Sequence, residues 1–153
     1  YDRGNGVTIL LYDVGAGTVL LTRQFRLPAY VNGVADGLML EAAAGLLDEA
    51  GEHPEEAVRR EVAEETGAEI GDLEFLWKAY MSPGSVTEHL YFYAAPYTSG
   101  QGTGGGGVAD EGEDIEVVEL PIDEALAGIG TTIVDAKTIM LLQWIDREGR
   151  LRS

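Results

Sequence analysis

Residues 60–67 read Arg-Glu-Val-Ala-Glu-Glu-Thr-Gly, which places three carboxylates within about one and a half turns of a predicted helix. Residues three and four apart share a helix face, so Glu61, Glu64 and Glu65 can point toward one place. Like charges this close repel, and a hard divalent cation such as Mg²⁺ or Mn²⁺ would relieve the repulsion. The alternative is a solvated acidic face, the more common meaning of such a charge run.

The sequence around this octet predicts an α/β fold, with a mixed β-sheet sandwiched between α-helices. Pro54 fits the first turn of the octet's helix, and Gly67 predicts its end. A further helix is predicted after Pro121, and a last one over residues 134–148. Alternating apolar runs and turn residues predict the strands, whereas residues 45–53 are predicted as a loop. The predicted strands are residues 6–12, 18–26, 38–43, 73–80, 88–96 and 115–120.

Composition excludes several classes of protein. The 153 residues carry a formal net charge of -17, which argues against binding a nucleic-acid backbone. No apolar run approaches the roughly 20 residues of a membrane span. The chain has no Cys, so it forms no disulfide, in agreement with a cytoplasmic location. We expect one domain over residues 1–153, lacking a short segment upstream of Tyr1.

The octet and two residues before it resemble the Nudix box, G-x(5)-E-x(7)-R-E-U-x-E-E-x-G-U, where U is a bulky aliphatic residue. The right half matches at each specified place except the last, where Ala68 stands for the aliphatic residue. In the left half, one extra residue lies between Gly45 and Glu52, while the spacing from Glu52 to Gly67 is kept. The extra residue leaves the helix assignment intact and the role of Gly45 open.

The resemblance to Nudix hydrolases extends beyond the box and covers nearly the whole chain. It is similar to the branch that hydrolyses GDP-mannose, and close to the ADP-ribose pyrophosphatases. The latter share the Ala-Gly-Leu-Leu-Asp start at residues 44–48 and the segment at residues 109–115. The segments that match the GDP-mannose branch are residues 1–6, 22–26, 44–48, 81–84, 86–88 and 113–117.

The resemblance implies a Mg²⁺-dependent attack of water on a pyrophosphate, with Mn²⁺ as a possible substitute. The implied metal ligands are the side chains of Glu61, Glu65 and Glu113, with the backbone carbonyl of Ala44. Glu64 would be a further ligand or would orient water. The implied general base is Glu111 or Glu113, on a segment that the Gly-rich residues 99–107 would tether. Arg60 would pair with a neighbouring glutamate and hold it in place.

Substrate contacts are implied for Arg26, Glu88 and Lys137, together with Gly45 and Leu46. Each of the three charged residues has an ordinary structural alternative. Arg26 could be a surface arginine at a strand end, Glu88 could start a strand, and Lys137 is unremarkable in a helix first turn. His53 and His89 are single and far apart, and neither is predicted as a ligand.

The expected activity is therefore the splitting of GDP-mannose into GMP and mannose 1-phosphate. The alternative is hydrolysis of ADP-ribose to AMP and ribose 5-phosphate, because the box binds the pyrophosphate and not the base. A ligand sensor without activity is a third possibility, but it would have lost a metal-binding carboxylate. The carboxylates present are Glu61, Glu64, Glu65, Glu111 and Glu113. The resemblance also implies a homodimer in which an N-terminal segment reaches the partner's site.

Overall fold

A mixed sheet with helices on both faces forms the described part of the chain, as predicted. The computed structural model describes residues 4–47, 51–100 and 114–151, and within them the sheet has seven strands in the order β3-β2-β1-β6-β5, with β4 on β1 and β7 on β2. The strands are β1 (Gly6–Asp13), β2 (Thr18–Phe25), β3 (Leu38–Glu41), β4 (Ala43–Leu46), β5 (Glu74–Tyr80), β6 (His89–Pro96) and β7 (Glu116–Pro121). The helices are α1 (Leu27–Val31), α2 (Pro54–Glu65), α3 (Ile122–Ala127) and α4 (Ala136–Glu148).

Strand β1 lies at the centre of the sheet and is apolar on both faces. It runs parallel to β6 and antiparallel to β2. Ile9 belongs to the core that contains Val58 of α2, whereas Leu10 belongs to the core on the opposite face, with Leu141 of α4. All four side chains are fully buried, and burying an aliphatic side chain of this size contributes about 1.5–3 kcal/mol. The two cores hold the helices on opposite sides of the sheet.

Strands β1 and β2 separate along their length, and the segment 38–46 enters the gap. Only residues 11–13 of β1 pair with β2; residues 6–9 pair with β4 instead. The far end of β2 pairs with β3. Ala42 lies between β3 and β4, and its N–H donates to Thr138 Oγ1 of α4 at 2.8 Å. The separation brings the ends of β2, β3 and β4 together near the start of α4.

Helix α2 begins and ends where the sequence predicts. His53 Nδ1 accepts the N–H of Glu55 at 3.2 Å, and Pro54 takes the first helical position. At the other end Gly67 has a φ of +70° and donates its N–H to Val62 O at 3.1 Å. This positive φ suits glycine because other residues are strained there. The buried face of α2 includes Glu61 and Glu65 along with its apolar residues.

Two sequence predictions need correction, and one helix is missing from the predictions. The predicted loop over residues 45–53 starts too early, because Gly45 and Leu46 pair with β1 as part of β4. The predicted single strand over residues 38–43 is two strands, β3 and β4. Ala42 lies between them, and its N–H donates to Thr138 of α4. Helix α1 was not predicted, because five residues are too few for a helical period to emerge.

In the described ranges, no helix has both the length and the apolar character needed to cross a bilayer.

Candidate active site

A cleft of about 650 Å³ opens where β1 and β2 separate. One wall is formed by α2 and β4, and the other by the ends of β2 and β3 and the start of α4. Glu111 and Glu113, the predicted bases, lie outside the described residues. The predicted site residues that line the cleft are Arg26, Ala44, Gly45, Leu46, Glu61, Glu65, Glu88 and Lys137.

The acidic wall of the cleft consists of Glu61 and Glu65. They are 8% and 3% exposed, which is unusual for carboxylates because a buried charge is costly unless it is paired or binds a cation. One oxygen of Glu65 accepts the backbone N–H of Ala44 at 3.2 Å. Helix α2 therefore presents two buried carboxylates, one turn apart, beside the backbone of β4.

Arg60 neutralises part of the negative charge of this wall. Its guanidinium contacts Glu61 at 2.9 Å, Glu52 at 3.1 Å and Glu64 at 3.5 Å. It also donates to the backbone carbonyl of Leu46 at 3.3 Å, which ties α2 to β4. The predicted pairing of Arg60 with a neighbouring glutamate is present. Glu64 is partly exposed and is not among the described residues that line the cleft.

Gly45 allows Glu61 to lie directly against β4. A Cβ atom built at Gly45 would overlap the carboxyl group of Glu61. Since the overlap involves the carboxyl carbon itself, any side chain at this position must displace Glu61. The sequence left the role of Gly45 open. One part of this role is to let the Glu61 carboxyl group lie close to the backbone of β4.

We expect Gly45→Ala to displace the Glu61 carboxylate and to weaken divalent-cation binding by about 10–100-fold, the range found when the support of a metal ligand is lost. The measurement is the Mg²⁺ concentration for half-maximal turnover. Gly84→Ala is the matched control, because a Cβ at Gly84 meets nothing within 4 Å. Equal Mg²⁺ dependence in the two variants would contradict this role of Gly45.

The basic wall contains Arg26 and Lys137, which share one carboxylate that sequence reasoning missed. Glu41, at the end of β3, accepts Arg26 Nε at 2.7 Å and Arg26 Nη2 at 3.2 Å. It also accepts Lys137 Nζ at 2.6 Å. Asp135, the N-cap of α4, accepts the same Nζ at 2.9 Å. The one available signal was an acidic residue at the end of the apolar run Leu38–Glu41.

Opposite charges keep this buried network ionised. Burial alone would raise the pKa of Glu41, but the charges and hydrogen bonds of Lys137 and Arg26 outweigh burial and lower it. Burial alone would lower the pKa of Lys137, but Glu41 and Asp135 raise it. Glu41 is only 4% exposed, so water screens these interactions little.

The lowered pKa of Glu41 makes its contribution to stability pH-dependent. The folded protein binds the Glu41 proton more weakly than the unfolded chain, whose glutamate pKa is about 4.3. The contribution is therefore present above that pKa and is lost as the pH falls through the lower folded value. We expect the gap in unfolding free energy between wild type and Glu41→Gln to narrow from about pH 6 to about pH 3 in urea titrations. A difference in unfolding free energy that stays constant with pH would contradict the assignment of Glu41 as ionised in the folded protein.

The acidic wall fits a divalent cation with few protein ligands. Over residues 4–47, 51–100 and 114–151, no three Asp, Glu or His side chains converge into a complete cation site. Mg²⁺ commonly uses only one or two carboxylates, with water and substrate phosphates supplying the remaining ligands. Glu61, Glu65 and the nearby carbonyl of Ala44 can meet that smaller requirement.

Comparisons with known proteins agree with this geometry. The NUDIX domain model matches residues 2–142. The chain is 58% identical over 145 residues to a GDP-mannose pyrophosphatase of Pectobacterium atrosepticum, covering 94% of this chain and 73% of the relative. It is 55% identical over 154 residues to a GDP-mannose pyrophosphatase of Yersinia enterocolitica, covering 99% and 78%. Nudix hydrolases generally use a divalent metal ion. The chain belongs to the Nudix family.

Proposed function

We propose that this Nudix hydrolase cleaves the phosphoanhydride of GDP-mannose and releases GMP and mannose 1-phosphate, with Mg²⁺ as its cofactor. The observation that carries the proposal is the cleft with two charged walls. Buried Glu61 and Glu65 lie on one side, and Arg26 and Lys137 lie on the other. The names of the relatives support the nucleoside diphosphate sugar as the substrate class.

The acidic wall would hold the cofactor. Glu61, Glu65 and the carbonyl of Ala44 are the proposed ligands in the described chain, and Glu113 is the proposed fourth. When bound, Mg²⁺ would neutralise charge on the leaving phosphate and acidify a water molecule. The carboxylates cannot receive a pyrophosphate directly, because like charges repel. Arg60 donates a hydrogen bond to Glu61, is not among the described residues that line the cleft, and has no proposed contact with substrate.

The basic wall would bind the phosphates. Arg26 uses Nε and Nη2 on Glu41, and a guanidinium has five N–H donors, so its Nη1 group can serve a phosphate oxygen. Lys137 Nζ donates to Glu41 and Asp135 and has a third donor. Glu88, also at the cleft, is a suitable acceptor for a sugar hydroxyl. The wall thus combines phosphate donors with a hydroxyl acceptor.

The proton of the attacking water requires a base. Glu111 and Glu113 keep their predicted roles, which the described residues do not test. The proposed role of Glu64 as a ligand or water orienter also stays a prediction. Its contact with Arg60 at 3.5 Å supports, in addition, a part in holding that arginine.

Parallel assays with GDP-mannose and ADP-ribose in Mg²⁺ test the proposal. We expect GMP and mannose 1-phosphate in equal amounts, and kcat/KM at least about tenfold higher for GDP-mannose, equal to about 1.4 kcal/mol of discrimination. Faster hydrolysis of ADP-ribose would make the alternative activity correct. If both ligands bind and neither yields a monophosphate, the chain is a sensor.

We also propose a homodimer in the cytoplasm. Several large apolar side chains around α1 are exposed, which is the usual character of a protein interface when they are contiguous. The absence of Cys supports a reducing compartment. Light scattering on the purified chain measures the mass of the assembly and so tests the proposed dimer.

The exposed apolar residues around α1 that support this dimer are Phe25, Leu27, Tyr30, Val31 and Leu38.

A further inference from the structure

Glu41 joins two cations that come from distant parts of the chain. Arg26 follows β2, and Lys137 lies in the first turn of α4, 96 residues after Glu41. Glu41 accepts three hydrogen bonds from them, at 2.7, 3.2 and 2.6 Å. One carboxylate therefore sets where both cationic groups lie in the cleft.

Glu41 is the carboxylate that accepts hydrogen bonds from both cations, and it therefore links their positions. The side chain of Arg26 is 43% exposed, and a long side chain with that freedom loses entropy when a ligand orders it. Asp135 Oδ2 also accepts Lys137 Nζ, and Asp135 is itself fixed because the same oxygen accepts Thr138 Oγ1 at 2.6 Å. Without Glu41, the neighbouring charges of Arg26 and Lys137 would repel each other within the basic wall.

A purely structural role for Glu41 is the competing explanation. Buried ion pairs often add little net stability, because desolvation offsets their attraction. A buried pair kept only for stability would be served as well by apolar side chains. This network instead lines the cleft, and both cations retain donors that Glu41 does not use. Its location favours a role in substrate binding.

We propose that Glu41 is a positioning residue, which orders Arg26 and Lys137 in advance so that together they bind the pyrophosphate of the substrate. This inference rests on the function proposed above. Glu41 touches no reacting atom in this account; it acts through the two cations. The energetic gain comes from ordering Arg26 before the substrate arrives.

Two double-mutant cycles test the proposal. One combines Glu41→Gln with Arg26→Ala, and the other combines Glu41→Gln with Lys137→Met. The main readout is the Kd for inorganic pyrophosphate in Mg²⁺ by calorimetry, and the second is KM and kcat for GDP-mannose. We expect Glu41→Gln alone to raise Kd and KM about 10–100-fold, the loss of a charge-assisted hydrogen bond. The loss in kcat should be smaller.

The coupling between Glu41 and each of the two cations decides between a positioning role and an independent one. If Glu41 acts through the cations, Glu41→Gln costs much less when either cation is already removed. Additive losses in both cycles would overturn the proposal. Because pyrophosphate binding is measured without turnover, a wild type that does not cleave GDP-mannose would refute the proposed function and leave this test intact.

A control and a conservative variant separate positioning from folding. Glu74 also accepts two hydrogen bonds from one arginine, Arg150, at 2.8 and 3.2 Å, and it does not line the cleft. Glu74→Gln should leave the pyrophosphate Kd unchanged. Glu41→Asp keeps the charge, which supports folding, but its shorter side chain cannot reach both cations. A wild-type Kd for Glu41→Asp would show that charge alone suffices and would overturn positioning.

Discussion

Glu65→Gln is expected to lower kcat by at least about 100-fold, because losses of that size follow even from removing the partner of a metal ligand. Glu65 is 3% exposed and accepts the Ala44 N–H at 3.2 Å. Glutamine has nearly the same shape, and its amide oxygen can still accept that hydrogen bond. The substitution removes the charge that would hold the cation. The fold should therefore persist while the reaction fails.

Turnover of GDP-mannose across a Mg²⁺ titration measures this loss, with thermal unfolding as the check on the fold. Glu56→Gln is the matched control, since Glu56 is exposed in the first turn of the same helix. It should retain nearly all activity. Near-normal Mg²⁺-dependent turnover in Glu65→Gln would contradict the assignment of Glu65 as a ligand.

Arg60→Met is expected to produce the second large effect. It raises the Mg²⁺ concentration for half-maximal turnover by about 10–100-fold, the usual cost of losing a group that orients a ligand. Arg60 contacts Glu52, Glu61 and Glu64 at 3.1, 2.9 and 3.5 Å. Without it, three carboxylates repel each other, and the tie to the Leu46 carbonyl is lost. The melting temperature should fall as well.

Arg59→Met tests whether the effect belongs to the contacts or merely to the lost charge. Arg59 is the preceding residue of α2 and is exposed. Both variants change the net charge equally, so only the contacts of Arg60 distinguish them. Metal titrations that agree for the two variants would show that Arg60 does not organise the site.

The acidic half of the site could be predicted from the sequence because its parts are local. Glu61, Glu65 and Arg60 lie within two turns of one helix, whose limits Pro54 and Gly67 mark. Helical spacing alone then places the carboxylates on one face. The mixed sheet was also predictable, since apolar strands alternated with helical segments.

The basic half could not be predicted in full, because tertiary contacts create it. Arg26 and Lys137 were predicted from resemblance, but their shared partner Glu41 was not. Nothing local in the sequence links Glu41 to a lysine 96 positions away. The contact forms where β1 and β2 separate, at the place where the N–H of Ala42 donates to Thr138 Oγ1. Such long-range pairings have no short-range signal.

Phosphorus NMR of GDP-mannose incubated with the protein and Mg²⁺ tests the central claim most directly. The two coupled phosphoanhydride signals should be replaced by two uncoupled phosphomonoester signals of equal intensity, those of GMP and mannose 1-phosphate. Chelation of Mg²⁺ should stop the change. Unaltered phosphoanhydride signals in Mg²⁺, with folded protein present, would contradict the account.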